Sequence, residues 1–216
     1  MDVLRSAFDK FYNSISCFVF ALTKKDPEKA SEFFKFFLRT LYRVGIDSLI
    51  LDNAINYYDC GVPISNAAGL NKNGEIPPIT LKYMGFDRVV VGTVTGDEWS
   101  GNSRPRVRRY PKTESLINWM GFPGVGVERV AENLRGYGNH GVPLTINFMS
   151  TPGKKGDVLL SDLEKTIRMT RDLSSVDRFE LNISCPNTGC SSGCLDARDE
   201  YIGGLVGMLE TVRALS

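Results

Sequence analysis

The sequence predicts an α/β protein built from successive strand–helix units, and three observations support this. Short apolar runs recur at 62–66, 88–91, 144–146 and 179–183. Helical patterns follow them at 76–84, 125–135, 161–173 and 198–213. Each run hands over at its C-terminal end to small or polar residues: Ala67-Ala68-Gly69, Gly92-Thr93, Asn147 and Asn182. Four such units in succession predict a parallel sheet covered by helices. Barrels and open α/β sheets both place their sites at that end of the strands.

Composition narrows the class. The chain has 216 residues, 42% hydrophobic and 24% charged, an ordinary soluble globular balance. A net charge of +1 gives no reason to expect nucleic acid. No apolar run reaches the ~18 residues of a spanning helix. Met1 leads into an amphipathic segment with Asp2 and Asp9, so no secretory or transit signal is expected. Five cysteines, an odd number at irregular spacing, fit a reducing compartment better than a disulfide framework. Cys185, Cys190 and Cys194 lack a CxxC pair, so neither zinc nor an iron–sulfur cluster is expected. Cys17 and Cys60 read as structural or surface thiols. The single histidine, His140, excludes His-pair metal sites and reads as a solvated loop residue.

The first element is a helix over 1–22, with Leu4, Phe8, Phe11, Ile15, Phe18 and Leu22 on one face. Asp26-Pro27-Glu28 then reads as N-cap, proline at the first helical position and an acid in the first turn. The helix that follows carries Phe33, Phe34, Phe36, Phe37, Leu38, Leu41 and Tyr42 and ends at Gly45. Two readings fit so aromatic a pair: helices docked on a larger domain, or an apolar mouth on a membrane surface or lipid-like ligand. The expected division is a helical unit at 1–46 and the α/β part at 47–216. A (β/α)8 barrel needs ~250 residues, so the α/β part amounts to roughly half of one. The expectation is the N-terminal half of a longer enzyme; a complete four-stranded open sheet is the alternative.

The strand ends carry the chemistry. Ala67-Ala68-Gly69 removes bulk where a flat ring could lie against the backbone, and Lys72 follows to meet an anionic group. Gly92-Thr93 repeats the device and adds a hydroxyl, while Asn147 and Asn182 reach toward the same centre. After Asn182, the run Ser184-Cys185-Pro186-Asn187-Thr188 places a thiol between two carboxamides. Carboxamides offer donors and acceptors together, as a heterocycle with alternating NH and C=O groups requires. A thiol beside such a ligand is a candidate proton acceptor or nucleophile; an ordinary turn at a strand end is the plainer reading. The excursion 94–125 shows no evident secondary structure and holds an arginine run, Arg104 to Arg109, and Asn118-Trp119-Met120-Gly121-Phe122. Such excursions are functional or disordered, and the arginines alone read equally as a solvated basic face. Gly124-Val125-Gly126 lacks the preceding strand and third glycine of a dinucleotide fingerprint.

Taken together, AAGLNKNGE at 67–75, GTVT at 92–95, GNSRPRVRRYP at 101–111, INWMGFPG at 117–124 and NISCPNT at 182–188 resemble the dihydroorotate dehydrogenases. Order and spacing match through almost the whole chain. The segment DPEKASEFFKFFLRTL at 26–41 is similar to the N-terminal helical domain of the membrane-associated, quinone-dependent class.

The resemblance implies a (β/α)8 TIM barrel, of which this chain supplies roughly the first four βα units, with FMN at the strand ends. The implied reaction is oxidation of dihydroorotate to orotate in pyrimidine biosynthesis, with quinone as acceptor. Ala67, Ala68, Gly69, Lys72, Gly92, Thr93, Asn147 and Asn182 would line FMN. Lys72, Asn118, Trp119, Met120, Gly121, Phe122, Asn182 and Asn187 would meet the substrate. Cys185 would take the proton from C5 while hydride leaves C6, and Arg109 would stand at the quinone site. The quinone-dependent class usually carries serine where this chain has Cys185 and asparagine where it has Pro123; Ser31 stands where some members have histidine. Cys185 and Pro123 resemble the soluble classes, which use fumarate or a nicotinamide, whereas the aromatic helices favour quinone. A membrane-binding module without catalysis is the reading from another class. The implied location is peripheral, on the cytoplasmic side of a bacterial membrane, and the implied partners are quinone, dihydroorotate and the remaining half of the barrel.

Overall fold

The computed structural model describes residues 21–23, 26–49, 62–183, 185, 187, 206, 207, 210 and 213. The expected helix over 1–22 lies almost wholly outside them, as do Cys17, Cys60, Ser184, Pro186, Thr188, Cys190, Cys194 and most of the expected helix 198–213. In chain order the elements are α1 (Pro27–Arg43), α2 (Pro78–Tyr83), β1 (Val89–Val94), β2 (Glu98–Trp99), β3 (Val107–Tyr110), β4 (Ser115–Asn118), β5 (Gly124–Val125), α3 (Gly126–Arg135), β6 (Leu144–Phe148), α4 (Gly156–Thr170) and β7 (Val176–Leu181).

β1, β6 and β7 form a parallel sheet in that order. β1 reads VVVGTV and β6 LTINF, and every residue of both is buried. That is why they are nearly continuous apolar runs rather than alternating ones: a parallel strand is covered on both faces. The helices α2 and α3 pack against β1, and α4 against β6. Ile76, Leu81, Val89, Val91, Val127, Val130, Leu144, Ile146, Phe148, Leu163 and Ile167 meet there as one core.

The expected first strand, 62–66, is not a strand. It lies parallel to the start of β1 with a single bridge, Ser65 to Arg88. Pro63 has no N–H to give, and side chains replace the ladder. Ile64 N–H donates to the Asp87 carboxylate (2.7 Å) and Asp87 N–H to Ile64 O (2.8 Å). Asn66 then takes both backbone groups of Val90, accepting its N–H (2.9 Å) and donating to its carbonyl (2.8 Å). Helix boundaries also differ from expectation. Pro77 and Pro78 hold α2 back, and α4 starts earlier and ends earlier than the apolar spacing indicates. His140 is not simply solvated: it is half-buried, and its Nδ1 accepts the Val142 N–H (3.1 Å).

The excursion 94–125 is folded. β3 and β4 pair antiparallel as a hairpin, and β2 pairs with β5 to close its base. The hairpin strands are largely exposed, which is why no burial alternation marks them in the sequence.

α1 forms where its caps predict. Asp26 accepts N–H bonds from Glu28 (2.9 Å) and Lys29 (3.2 Å). At the other end Gly45, at φ +70°, donates to Tyr42 O and Ile46 to Leu41 O, which completes a Schellman stop. Ala30, Leu38 and Leu41 are buried, while Phe33, Phe34, Phe36 and Phe37 remain exposed.

Candidate active site

The C-terminal ends of the three parallel strands carry one hydrogen-bonded chain of polar side chains. Asn182 Nδ2 donates to Thr93 Oγ1 (3.0 Å), and Thr93 Oγ1 donates to Asn147 Oδ1 (2.6 Å). Asn147 Nδ2 donates in turn to the Glu180 carboxylate. Each link leaves one orientation for the next, so both carboxamides are fixed before any ligand arrives. Thr93 and Asn147 are buried; Asn182 is half-buried.

Beside this chain, Ala67, Ala68 and Gly69 present an exposed backbone without bulk. Gly69 N–H donates to Gly92 O (2.7 Å), and Gly92 N–H to Asn71 O (3.1 Å), which stitches this loop to β1. Gly92 has φ +128°, and a Cβ there would stand 2.0 Å from the carbonyl oxygen of Asn147. Only glycine lets the strands approach so closely.

Lys72 is held by what precedes it. Asn71 is fully buried and brackets Ile76, donating to its carbonyl (2.9 Å) and accepting its N–H (3.0 Å). Among the described residues Lys72 forms no ion pair. Burial, then the charges of Arg106 and Lys35, push its ammonium down to about 8, with Cys185 and Glu28 acting in the opposite direction. Cys185 is half-buried and lies near enough to Lys72 to be coupled to it electrostatically.

A second cluster faces the excursion. Asn187 Nδ2 donates to Asn118 Oδ1 (3.1 Å), while Asn102 donates to Asn187 O (2.6 Å) and Trp119 O (2.8 Å). Asn102 N–H also donates to Met120 O (3.0 Å). Gly121 turns at φ +68°, where a Cβ would strike the Asn102 carboxamide at 2.7 Å. Phe122 is buried, and Trp119 is half exposed with its Nε1 donating to Pro105 O (3.2 Å).

The fold therefore gathers Ala67, Ala68, Gly69, Gly92, Thr93, Asn147 and Asn182 at one place. It sets Lys72 near Cys185 and joins Asn118 to Asn187. Arg109 is exposed on β3, opposite Leu116 and on the ribbon face that also bears Asn118. The sequence does not point to Asn66, Asn71, Asn102 or Glu180, nor to Glu28 as a partner of Arg106. The available signal was the density of carboxamides at strand ends, and it does not tell which of them hold the backbone.

Residues 51–212 match the family model for dihydroorotate dehydrogenase. A protein of Nitrosomonas europaea named dihydroorotate dehydrogenase (quinone) is 35% identical over 186 residues, covering 82% of this chain and 51% of that one. A protein of Deinococcus radiodurans with the same name is 35% identical over 152 residues, covering 70% of this chain and 40% of that one. The chain thus spans about half the length of the curated relatives it matches. Among solved structures, DHODH from Eimeria tenella in complex with ferulenol is similar with a TM-score of 0.66 at 25% identity, over 89% of this chain and 52% of that one. The ligand-free form from the same organism gives a TM-score of 0.56 over 71% of this chain and 43% of that one. With the parallel strands, the strand-end site and these matches in agreement, the chain belongs to the dihydroorotate dehydrogenase family.

Proposed function

We propose that this chain supplies the FMN-facing and substrate-facing strand ends of an enzyme that oxidises dihydroorotate to orotate and passes the electrons to quinone. The convergence of Thr93, Asn147 and Asn182 beside Ala67–Gly69, with Lys72 and Cys185 within electrostatic reach of each other, carries this reading. In this reading residues 47–216 form roughly the first four βα units of a (β/α)8 barrel, and 1–46 a helical unit that gives quinone its access.

The residues present fit a flavin. Ala67, Ala68 and Gly69 offer an exposed surface without side-chain bulk, and Gly92 keeps the strands close enough for Thr93, Asn147 and Asn182 to form one polar edge. When bound there, FMN supplies the two-electron acceptor for hydride from C6 of the substrate. Lys72 carries the compensating positive charge for the substrate carboxylate or for charge developing on the flavin. Asn118, Asn182 and Asn187 satisfy the NH and C=O groups of the pyrimidine, with Trp119, Met120, Gly121 and Phe122 shaping the wall. Cys185 takes the C5 proton as the base of the reaction.

Three features favour quinone as acceptor: the relatives named above, the exposed Phe33, Phe34, Phe36 and Phe37 on α1, and Arg109 on the adjoining hairpin. Among the described residues no helix is long and apolar enough to cross a membrane. The proposed association is peripheral, on the cytoplasmic side of a bacterial membrane. Cys185 favours a second reading, a soluble-type enzyme using fumarate or a nicotinamide.

The deciding experiment uses the protein from its full-length gene. Flavin absorbance bands should bleach on anaerobic addition of dihydroorotate and return on addition of a quinone. Return with fumarate alone would establish the second reading, and unbleached bands would exclude dihydroorotate as the substrate.

A further inference from the structure

Glu28 stands in the first turn of α1, where an acid ordinarily serves the helix N-terminus. Here its carboxylate is spent on another segment. Oε1 accepts the Arg106 backbone N–H (2.9 Å), and Oε2 accepts Arg106 Nε (3.1 Å) and Nη2 (2.8 Å). Arg104 Nε lies 3.3 Å from the same oxygen. The pair is withdrawn from water, with 10% of the Glu28 side chain and 8% of that of Arg106 exposed. Desolvation offsets much of the attraction in such a pair, so its net stabilisation is small.

The geometry the pair enforces is that of the substrate side. Arg106 Nη1 donates to Ser100 O (2.8 Å), and Arg106 O accepts the Trp119 N–H (2.9 Å). One residue therefore ties both limbs of the excursion, and those limbs carry Asn102 and Asn118, the two partners of Asn187. The Arg106 guanidinium also acts on Lys72, as do Lys35 of α1, Glu28 and Cys185.

We propose that Glu28 is a positioning residue through which the N-terminal helix supplies the counter-charge to Arg106 and holds the Asn102–Asn118–Asn187 cluster in register. This rests on the reading of the site as a dihydroorotate site. Glu28 touches no reacting atom. Its consequence is that substrate affinity depends on how α1 is seated, although α1 also carries the exposed Phe33, Phe34, Phe36 and Phe37.

The test compares Glu28→Gln and Lys35→Gln in the full-length holoenzyme, reading KM and kcat for dihydroorotate and the pH dependence of orotate binding. Glutamine keeps an acceptor for the Arg106 N–H but leaves the guanidinium without its counter-charge. Glu28→Gln should raise KM about tenfold or more, more than it changes kcat. It should also move the alkaline limb of orotate binding to lower pH. Lys35→Gln breaks the other ionic tether of α1 yet removes a positive charge near Lys72, so it should move that limb to higher pH. Limbs that shift together, or a KM change matched by equal loss of Tm and flavin in both variants, would reduce Glu28 to a docking contact and overturn the proposal. If Glu28→Gln does not retain flavin, Arg106→Gln replaces it; a raised KM with the limb moved upward supports the proposal, and an unmoved limb overturns it. A wild-type enzyme that shows no spectral response to orotate would overturn the functional reading itself. A normal wild type with an unaffected Glu28→Gln overturns this inference alone.

Discussion

At the scale of single residues, the charge on Lys72 has the clearest consequence. Its folded pKa is depressed to about 8 from an ordinary 10.5. Below about 8 the group is charged in both folded and unfolded chains, and the full desolvation penalty applies. Between the two values the unfolded chain binds more protons, so this group's effect is to raise stability with pH across that window. Under the proposed function anion binding runs the other way, because the charge offered to the substrate carboxylate disappears as pH passes about 8. Orotate affinity, followed by flavin absorbance from pH 7 to 10, should therefore fall through that region, and Lys72→Met should flatten the profile. Cys185 offers a separate check. Cys185→Ala should slow flavin reduction by dihydroorotate roughly 10²- to 10⁴-fold, the usual contribution of a positioned base, with little change in orotate affinity. Equal losses in both quantities would assign Cys185 to binding instead. The sequence draws attention to Lys72 because it follows the bulk-free run Ala67-Ala68-Gly69 at short range. It gives no such sign at Asn102, since its partner Asn187 is 85 positions away and becomes a neighbour only when the sheet is assembled.

At the scale of elements, local chemistry decides where the chain is regular. Asp26, Pro27 and Gly45 delimit α1, and the buried runs VVVGTV and LTINF make the central strands. The segment 62–66 shows the limit of such reasoning. Its apolar residues suggest a strand, yet Pro63 and the side chains of Asp87 and Asn66 leave it a side-chain-held ribbon. Asn66→Ala should thus cost about 2–4 kcal/mol, because two buried backbone groups of Val90 lose their partners. Urea denaturation of the full-length protein would measure this, and a loss below about 1 kcal/mol would mean that water replaces the carboxamide. The β3–β4 hairpin escaped prediction for the opposite reason: its residues are mostly exposed, so burial imposes no pattern on them.

At the scale of the whole molecule, α1 is joined to the α/β part at three levels. Glu28 holds Arg106, Lys35 pairs with Glu75 (3.0 Å), and Tyr42 meets Tyr137 edge to face at 5.8 Å between centroids. Burial pushes the Glu28 carboxyl up, but hydrogen bonds and charge from Arg106, helped by Arg104, prevail and hold it low. Burial likewise raises Glu75, and Asn73 and Lys35 prevail over it. Both are carboxylates with folded values below the unfolded one, so their contribution is present above the ordinary 4.5 and is lost as pH falls through the depressed values. Acid should release α1 before it melts the sheet. Pepsin digestion between pH 4 and 2.5 should cut within 27–43 earlier than within 144–181, and simultaneous cleavage would show that the tethers do not control docking.

Local sequence encodes the parallel α/β character, the limits of α1 and the small, polar ends of the central strands, because caps, covered strands and bulk-free turns are all specified within a few residues. Tertiary structure alone decided that Glu28 serves Arg106, that Asn102 links the excursion to Asn187, and that Lys72 loses affinity for its proton. Those outcomes depend on burial and on partners brought together across tens of residues, and no local pattern encodes either.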